Sequence, residues 1–209
     1  MSAEHCLTIQ DRVFIYKNAL PTTLIDSCLS FIQNSFDNKD FFIRYHKDDS
    51  SVVYLHYDDA SKEILDTFYN SDDTKVQKVA QIPPTSDITD SLLPYYKNVL
   101  QSIYKRDVIN HTSDFFMYGQ GHYMDKHADG SDNRICTTVL YLNDMTENDI
   151  GGETLFYELN DDSKVIYEYK PVKGDLIIFD SSLVDQVGLK HSVTKIQNWK
   201  RYAHRIYWK

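Results

Sequence analysis

Residues Arg134–Leu159 read RICTTVLYLNDMTENDIGGETLFYEL, two short runs of β-branched and aromatic residues with nothing helical between them. ICTTVLYLN and ETLFYEL have strand composition, and Asn143-Asp144 and Gly151-Gly152 supply the turns that separate them. The same texture extends outward. DFFMYGQG lies upstream; KVIYEYKPV, DLIIFD, GLKHSVT and RYAHRIYW lie downstream, punctuated by LNDDSK and VKGD. Many short strands with no helix among them predict a sandwich, jelly roll or barrel for the C-terminal half.

The N-terminal half reads differently. RVFIYKNAL is a strand ended by Pro21, and Thr22 or Thr23 is expected to cap a helix carrying Leu24, Ile25, Cys28, Leu29, Phe31 and Ile32 at helical spacing. FFIRYH and SVVYLHY form a strand pair around KDDS, followed by a short helix, SKEILDTFY. Asn70–Ile82 is polar and turn-rich and is expected to be a loop. A longer helix from about Ser86 to Tyr104 presents one apolar stripe that includes Leu92, Tyr96, Val99 and Leu100. The fold class is therefore α+β and mainly β in its second half. At 209 residues a single domain is expected, with 1–110 as support and substrate loops and 111–209 as the core.

Composition narrows the function. Hydrophobic content of 42% and charged content of 25% are ordinary for a globular chain, and 16 Tyr suit strands and half-polar cavities. The net charge of −9 argues against a nucleic-acid backbone or an anionic membrane as partner. Cys6, Cys28 and Cys136 are too few and too scattered for a disulfide framework or a zinc site. With no signal-like start and no apolar span, a cytoplasmic protein is expected.

The stretch HYMDKHADGSDNR, His122–Arg134, sets His127 and Asp129 two residues apart. In an extended segment such residues share a face, so a ring nitrogen and a carboxylate oxygen can converge on one ion. A hydrogen-bonded turn or chance would also produce the pair. Asp125 and Asp132 compete for the carboxylate role, and the best third ligand is His191, 64 residues downstream in the same β half. Two histidines and a carboxylate leave one side of a metal open, which suits non-haem Fe(II). Alternation in RYAHRIYW puts Arg201, Ala203, Arg205 and Tyr207 on one face, with His204 on the other. A buried arginine there calls for an anion, and a dicarboxylic co-substrate would supply one.

From Phe116 onward these segments resemble the prolyl-4-hydroxylase-like branch of the 2-oxoglutarate and Fe(II)-dependent dioxygenases. MYGQGHYMDKHAD, RICTTVLYLND, GGETLF, KPVKGDLIIFD, LKHSV and KRYAHRIYW occur in the family's order. The resemblance implies a double-stranded β-helix, or jelly roll, supported by the N-terminal helices. It places His127, Asp129 and His191 on the iron ligands and decides for Asp129 over its neighbours. It places Arg201 on the residue that holds the distal carboxylate of 2-oxoglutarate, Tyr141 beside it, and Tyr118 in the co-substrate or substrate cavity. Arg134 and Arg205 are candidate substrate contacts, although Arg205 could equally pair with a neighbouring aspartate. Two positions depart from the pattern: Met124 stands where an aromatic is usual, and Arg205 where a small or short polar residue is usual.

The implied reaction is decarboxylation of 2-oxoglutarate to succinate and CO2, coupled through O2 to hydroxylation of an unactivated C–H, with ascorbate as reductant. The leading acceptor is a prolyl residue in a peptide or protein. Alternatives are a free amino acid or other small molecule, and a non-catalytic jelly-roll binding module. A nucleic-acid demethylase ranks low, because that branch carries two arginines six apart where Arg201 and Arg205 are four apart. The DGSDNR loop is expected to close over substrate.

Overall fold

In this computed structural model, residues 4–46, 52–70, 76–83, 86–105, 107–129, 134–181 and 188–209 are described. The N-terminal half runs β1 (Glu4–Ile9), β2 (Val13–Lys17), α1 (Thr22–Asp37), β3 (Phe42–His46), β4 (Val52–His56), α2 (Lys62–Asn70), β5 (Val76–Ile82) and α3 (Ser86–Tyr104). Among the described residues the regular elements of the C-terminal half are all strands: β6 (Asn110–Tyr118), β7 (Met124–His127), β8 (Cys136–Tyr141), β9 (Thr154–Tyr157), β10 (Val165–Tyr169), β11 (Leu176–Asp180), β12 (His191–Val193) and β13 (Arg201–Trp208).

Among the described residues these strands form two antiparallel sheets. The larger has nine strands in the order β1-β2-β11-β8-β13-β6-β5-β3-β4, and the smaller has four in the order β10-β9-β12-β7. The smaller sheet covers the central strands of the larger, as in a jelly roll.

Strand alternation divides the core into two layers. Tyr202, Ile206 and Trp208 of β13 point outward and pack with Ile25, Cys28 and Ile32 of α1, Phe68 of α2, and Leu92, Tyr96 and Leu100 of α3. Ala203, on the opposite face of β13, packs between the sheets with Tyr118, Tyr141, Phe156, Ile177 and Phe179. Each fully buried side chain of this size contributes about 1.5–3 kcal/mol. The outer layer thus fixes the helices, and the inner layer fixes the distance between the sheets.

His204 belongs to the outer layer, as the alternation predicts. Its Nδ1 lies 2.8 Å from the Tyr96 hydroxyl and its Nε2 2.8 Å from Ser113 Oγ. Burial, with help from the neighbouring Arg205 charge, pushes its pKa down to about 3. The ring is neutral and fully partnered.

Some expectations are corrected. Val76–Ile82 is not loop but strand β5, which joins β3 to β6 and buries Val79, Ala80 and Ile82. Gln77, Lys78 and Gln81 hide the strand in the sequence, yet Gln81 is buried too. Neither Thr22 nor Thr23 caps α1: the helix begins at Thr22, Pro21 stands in the cap position, and no side chain caps it. Proline's fixed φ pre-organises that entry. Glu4–Ile9 adds an edge strand that the sequence left unassigned. Pro94 sits inside α3, where burial of the Leu92–Tyr96 stripe overrides its helix-breaking tendency. The KDDS turn, most of the DGSDNR loop and Asp132 lie outside the described residues. Among the described residues, no helix is long and apolar enough to cross a membrane.

Candidate metal and co-substrate site

β7 and β12 pair antiparallel with His127 directly opposite His191. Their ring centroids are 4.4 Å apart. Asp129 follows β7 by two residues, and one ligand atom from each of the three side chains lies within 4.8 Å of the others. His127 Nε2 is 3.4 Å from Asp129 Oδ1, and His191 Nε2 is 3.7 Å from Oδ2.

The far side of each ring explains this orientation. His127 Nδ1 lies 2.7 Å from the Asp125 carbonyl, and His191 Nδ1 lies 3.1 Å from the Leu189 carbonyl. A carbonyl can only accept, so each Nδ1 carries the proton and each Nε2 offers its lone pair to the shared centre. Burial also pushes His191 down to about 4, against the opposing pull of Asp129, so its ring is neutral at pH 7. Burial disfavours the charge on Asp129 as well. The facing His191 and His127 rings and the Arg205 guanidinium outweigh it, and the carboxyl stays well below the usual carboxylate range. Thr137 Oγ1 donates to Asp129 Oδ2 at 2.8 Å, and the Tyr207 hydroxyl donates to Oδ1 at 3.3 Å. Two imidazoles with Nε2 turned to one point and one ionised, oriented carboxylate form a donor set that fits Fe(II).

Arg201, at the start of β13, is 4% exposed. Its Nη1 donates to the Gly152 carbonyl at 2.9 Å, and its Nη2 to Thr154 Oγ1 at 3.1 Å and the Tyr141 hydroxyl at 3.4 Å. Its guanidinium carbon stands 5.3 Å from the Tyr118 ring and 5.1 Å from the Tyr141 ring. The Nε has no partner, and no carboxylate pairs with this guanidinium among the described residues. A buried cation left this way costs several kcal/mol, and an incoming carboxylate would remove that cost. Burial raises the Tyr118 and Tyr141 hydroxyls above their usual pKa, so both remain protonated donors.

Local backbone geometry sets the arginine's outer contact. Gly151 and Gly152 have φ of +75° and +96°. A Cβ on Gly151 would run into the Lys195 carbonyl, and one on Gly152 would lie 2.6 Å from the Trp199 ring. Only glycine therefore brings the Gly152 carbonyl to Arg201.

A cavity of about 670 Å³ opens beside the triad, reaching from His127 and Asp129 to Phe42, Arg44 and Tyr54 of β3 and β4. Arg205 and Arg134 both line it. Arg205 Nη2 donates to Asp114 at 2.8 and 3.2 Å, so this inward arginine carries its own counter-ion. Arg134 Nη1 donates to the Asp129 carbonyl at 3.0 Å and lies over Tyr207 at 3.8 Å. Cys136 faces the helices, away from the triad.

The structure brings His127, Asp129 and His191 together, and sets Arg201 with Tyr141 and Tyr118. Sequence reasoning missed Arg44, Asp114, Thr154 and the hydroxyl contact from Tyr207. Tyr207 shares the alternating face of Arg201 and Arg205, which is its available signal in the sequence. Arg44 gave none, because an arginine backed by Ile43 normally faces solvent.

Residues 113–209 match the family model of the 2OG-Fe(II) oxygenase superfamily. The match spans the β-rich C-terminal half of the chain. Three solved structures share the fold of the whole chain. A Pseudomonas putida prolyl-4-hydroxylase is 16% identical with a TM-score of 0.67, the match covering 96% of this chain and 94% of that one. A Trichoplax adhaerens prolyl hydroxylase, in complex with a hypoxia inducible factor oxygen degradation domain peptide fragment, is 16% identical with a TM-score of 0.64, covering 95% and 84%. The viral collagen prolyl hydroxylase of Paramecium Bursaria Chlorella virus-1, in its 2OG complex, is 15% identical with a TM-score of 0.61, covering 94% of each chain. At such identities the likeness is one of fold. No curated protein matches the chain.

Proposed function

We propose that this chain is a 2-oxoglutarate- and Fe(II)-dependent dioxygenase that hydroxylates an unactivated C–H bond, with a prolyl residue of a peptide or protein as acceptor. The observation that carries the proposal is the pairing of two features within one fold. A two-histidine, one-carboxylate cluster has its lone pairs aimed inward. Beside it stands a buried arginine with no carboxylate partner among the described residues.

In this reading His127, Asp129 and His191 hold Fe(II), and Arg201 takes the distal carboxylate of 2-oxoglutarate. Bound iron and 2-oxoglutarate supply the oxidative chemistry with O2, and ascorbate serves as reductant. The chain's own residues supply geometry. The Asp125 and Leu189 carbonyls hold the two histidine tautomers, and Thr137 and Tyr207 fix the plane of the Asp129 carboxylate. Tyr141 and Thr154 line the arginine's end of the site with hydroxyls, while Phe156, Phe179 and Leu189 keep the space between the sheets dry.

A peptide acceptor is supported by the peptide-bound Trichoplax structure, whose fold is shared. It is also supported by the long cavity that β3 and β4 extend beyond the triad. A free amino acid is the second candidate. Its main attraction was an available Arg205, and Asp114 already occupies that guanidinium. The major sheet runs unbroken through both halves, which favours one catalytic unit across 1–209. Cytoplasmic action is part of the same proposal; Cys28 and Cys136 are buried and form no disulfide among the described residues. The test is succinate release with Fe(II), 2-oxoglutarate and ascorbate, followed by a search for a +16 Da product on proline-containing peptides. Absence of 2-oxoglutarate-dependent succinate would refute the proposal and leave a binding module.

A further inference from the structure

We propose that the acceptor carries a carboxylate that docks on Arg44, the guanidinium at the outer wall of the cavity beside the triad. This rests on the proposed hydroxylase reading and names the substrate class of that same site.

Three arginines line the cavity, and two have visible structural duties. Arg205 is neutralised by Asp114, and Arg134 is held by the Asp129 carbonyl and the Tyr207 ring. Arg44 differs. Its Nε, like that of Arg205, is buried with no hydrogen-bond partner, but unlike Arg205 its side chain makes no hydrogen bond or ion pair among the described residues. Asp114 feels its charge but is already bonded to Arg205. Asp129, the other acid on the cavity wall, faces the metal position. Arg44 therefore brings to the cavity a positive charge that no bonded acid neutralises among the described residues, in a chain whose net charge is −9. A guanidinium in that state binds a carboxylate through paired N–H donors.

The surroundings say what else the ligand contains. Phe42 lies two residues before Arg44 on the same face of β3, and Tyr54 pairs directly with Arg44 across β4. Tyr54 is 54% exposed, so a large aromatic ring stands at the mouth beside the charge. Aromatic walls around one cation fit a partly apolar molecule with an acidic group.

Sheet spacing indicates where that group sits. The Tyr207 hydroxyl on β13 reaches Asp129, which puts the metal position over that strand. β3 lies three places away across β6 and β5, about 14 Å at roughly 4.8 Å per strand. An extended chain advances about 3.3–3.6 Å per residue at most, so the span exceeds one amino acid. The geometry favours an acidic side chain about two to four residues from the reacting one over the α-carboxylate of a free amino acid.

The experiment uses the full chain and blocked nonapeptides with one central proline. Glu is placed in turn at each of the four positions on either side, with a Gln twin for every peptide; free L-proline and L-prolinamide form a separate arm. Hydroxylation is read by product mass, and affinity by fluorescence anisotropy on the Mn(II)- and 2-oxoglutarate-loaded protein. The expected result is at least tenfold preference for Glu over its Gln twin on one side of the proline, in both readouts. Arg44→Gln should shrink it to within twofold, and Arg44→Lys should retain part of it. A preference for L-proline over L-prolinamide that Arg44→Gln abolishes would uphold the carboxylate and move its source to a free amino acid. Equal handling of Glu and Gln peptides, or discrimination that survives in Arg44→Gln, overturns the inference. If wild-type protein releases no succinate, the hydroxylase reading fails, and the anisotropy arm still decides the role of Arg44.

Discussion

Replacing Arg201 by methionine should separate the arginine's service to co-substrate from any service to the fold. The guanidinium is buried, bonds only to neutral oxygens, and leaves its Nε unpartnered. Methionine fills similar space and removes the uncompensated charge, so stability without ligand should change little; the cost of the stranded Gly152 carbonyl, about 1–3 kcal/mol, opposes the gain. With 2-oxoglutarate the outcome differs sharply. Losing one partner of a desolvated charge pair costs about 3–5 kcal/mol, or roughly two to three and a half powers of ten in affinity. At a concentration 100 times the wild-type Kd, ligand should stabilise the wild-type protein by about 2.7 kcal/mol and the variant by about 0.4 kcal/mol or less. Urea unfolding of the Mn(II)-loaded protein, with and without 2-oxoglutarate, measures both quantities. Stabilisation of the variant to the wild-type extent would refute the assignment of Arg201.

Three further outcomes follow from the same geometry. Asp129→Ala should abolish succinate formation and bound Fe(II) together, and turnover at the wild-type rate would remove Asp129 from the ligand set. Thr137→Val takes away the hydroxyl that donates to Asp129 Oδ2 and should weaken Fe(II) binding about 10–100-fold, while Thr137→Ser restores it; metal titration reads both. His204 has a folded pKa depressed to about 3 against about 6.5 unfolded, so only the unfolded chain gains its proton as pH falls from 7.5 to 5.5. Stability is lost in that direction, and wild type should lose about 1.4 kcal/mol more than His204→Gln in urea melts; parallel pH slopes would count against a buried neutral ring.

The β half was legible because its inward and outward faces alternate in residue type. RYAHRIYW separates a charged and small face from an apolar one, and the structure places Arg201 and Ala203 between the sheets and Ile206 and Trp208 under the helices. The spacing of His127 and Asp129 was equally visible, but their convergence with His191 depends on the β7–β12 register, which no local pattern encodes. β5 escaped because its polar residues read as loop, although tertiary pairing on both sides makes it a central strand. Arg44 escaped for the same reason at longer range: a cavity formed by β3, β7 and β13 is a property of sheet order.

The attachment of β5, β3 and β4 along the free side of β6 has an evolutionary corollary. The His127–Asp129–His191 cluster is clasped by β7 and β12 of one sheet, whereas the far rim of the recess belongs to a hairpin at the other sheet's margin. Mutations could remodel that hairpin, exchanging its charge or aromatic cover, while leaving the His127 and His191 imidazoles where they are. Choice of target and the reaction performed on it are thereby inherited through separate pieces of chain, and grafting this margin between relatives should transplant selectivity without rebuilding the chemistry.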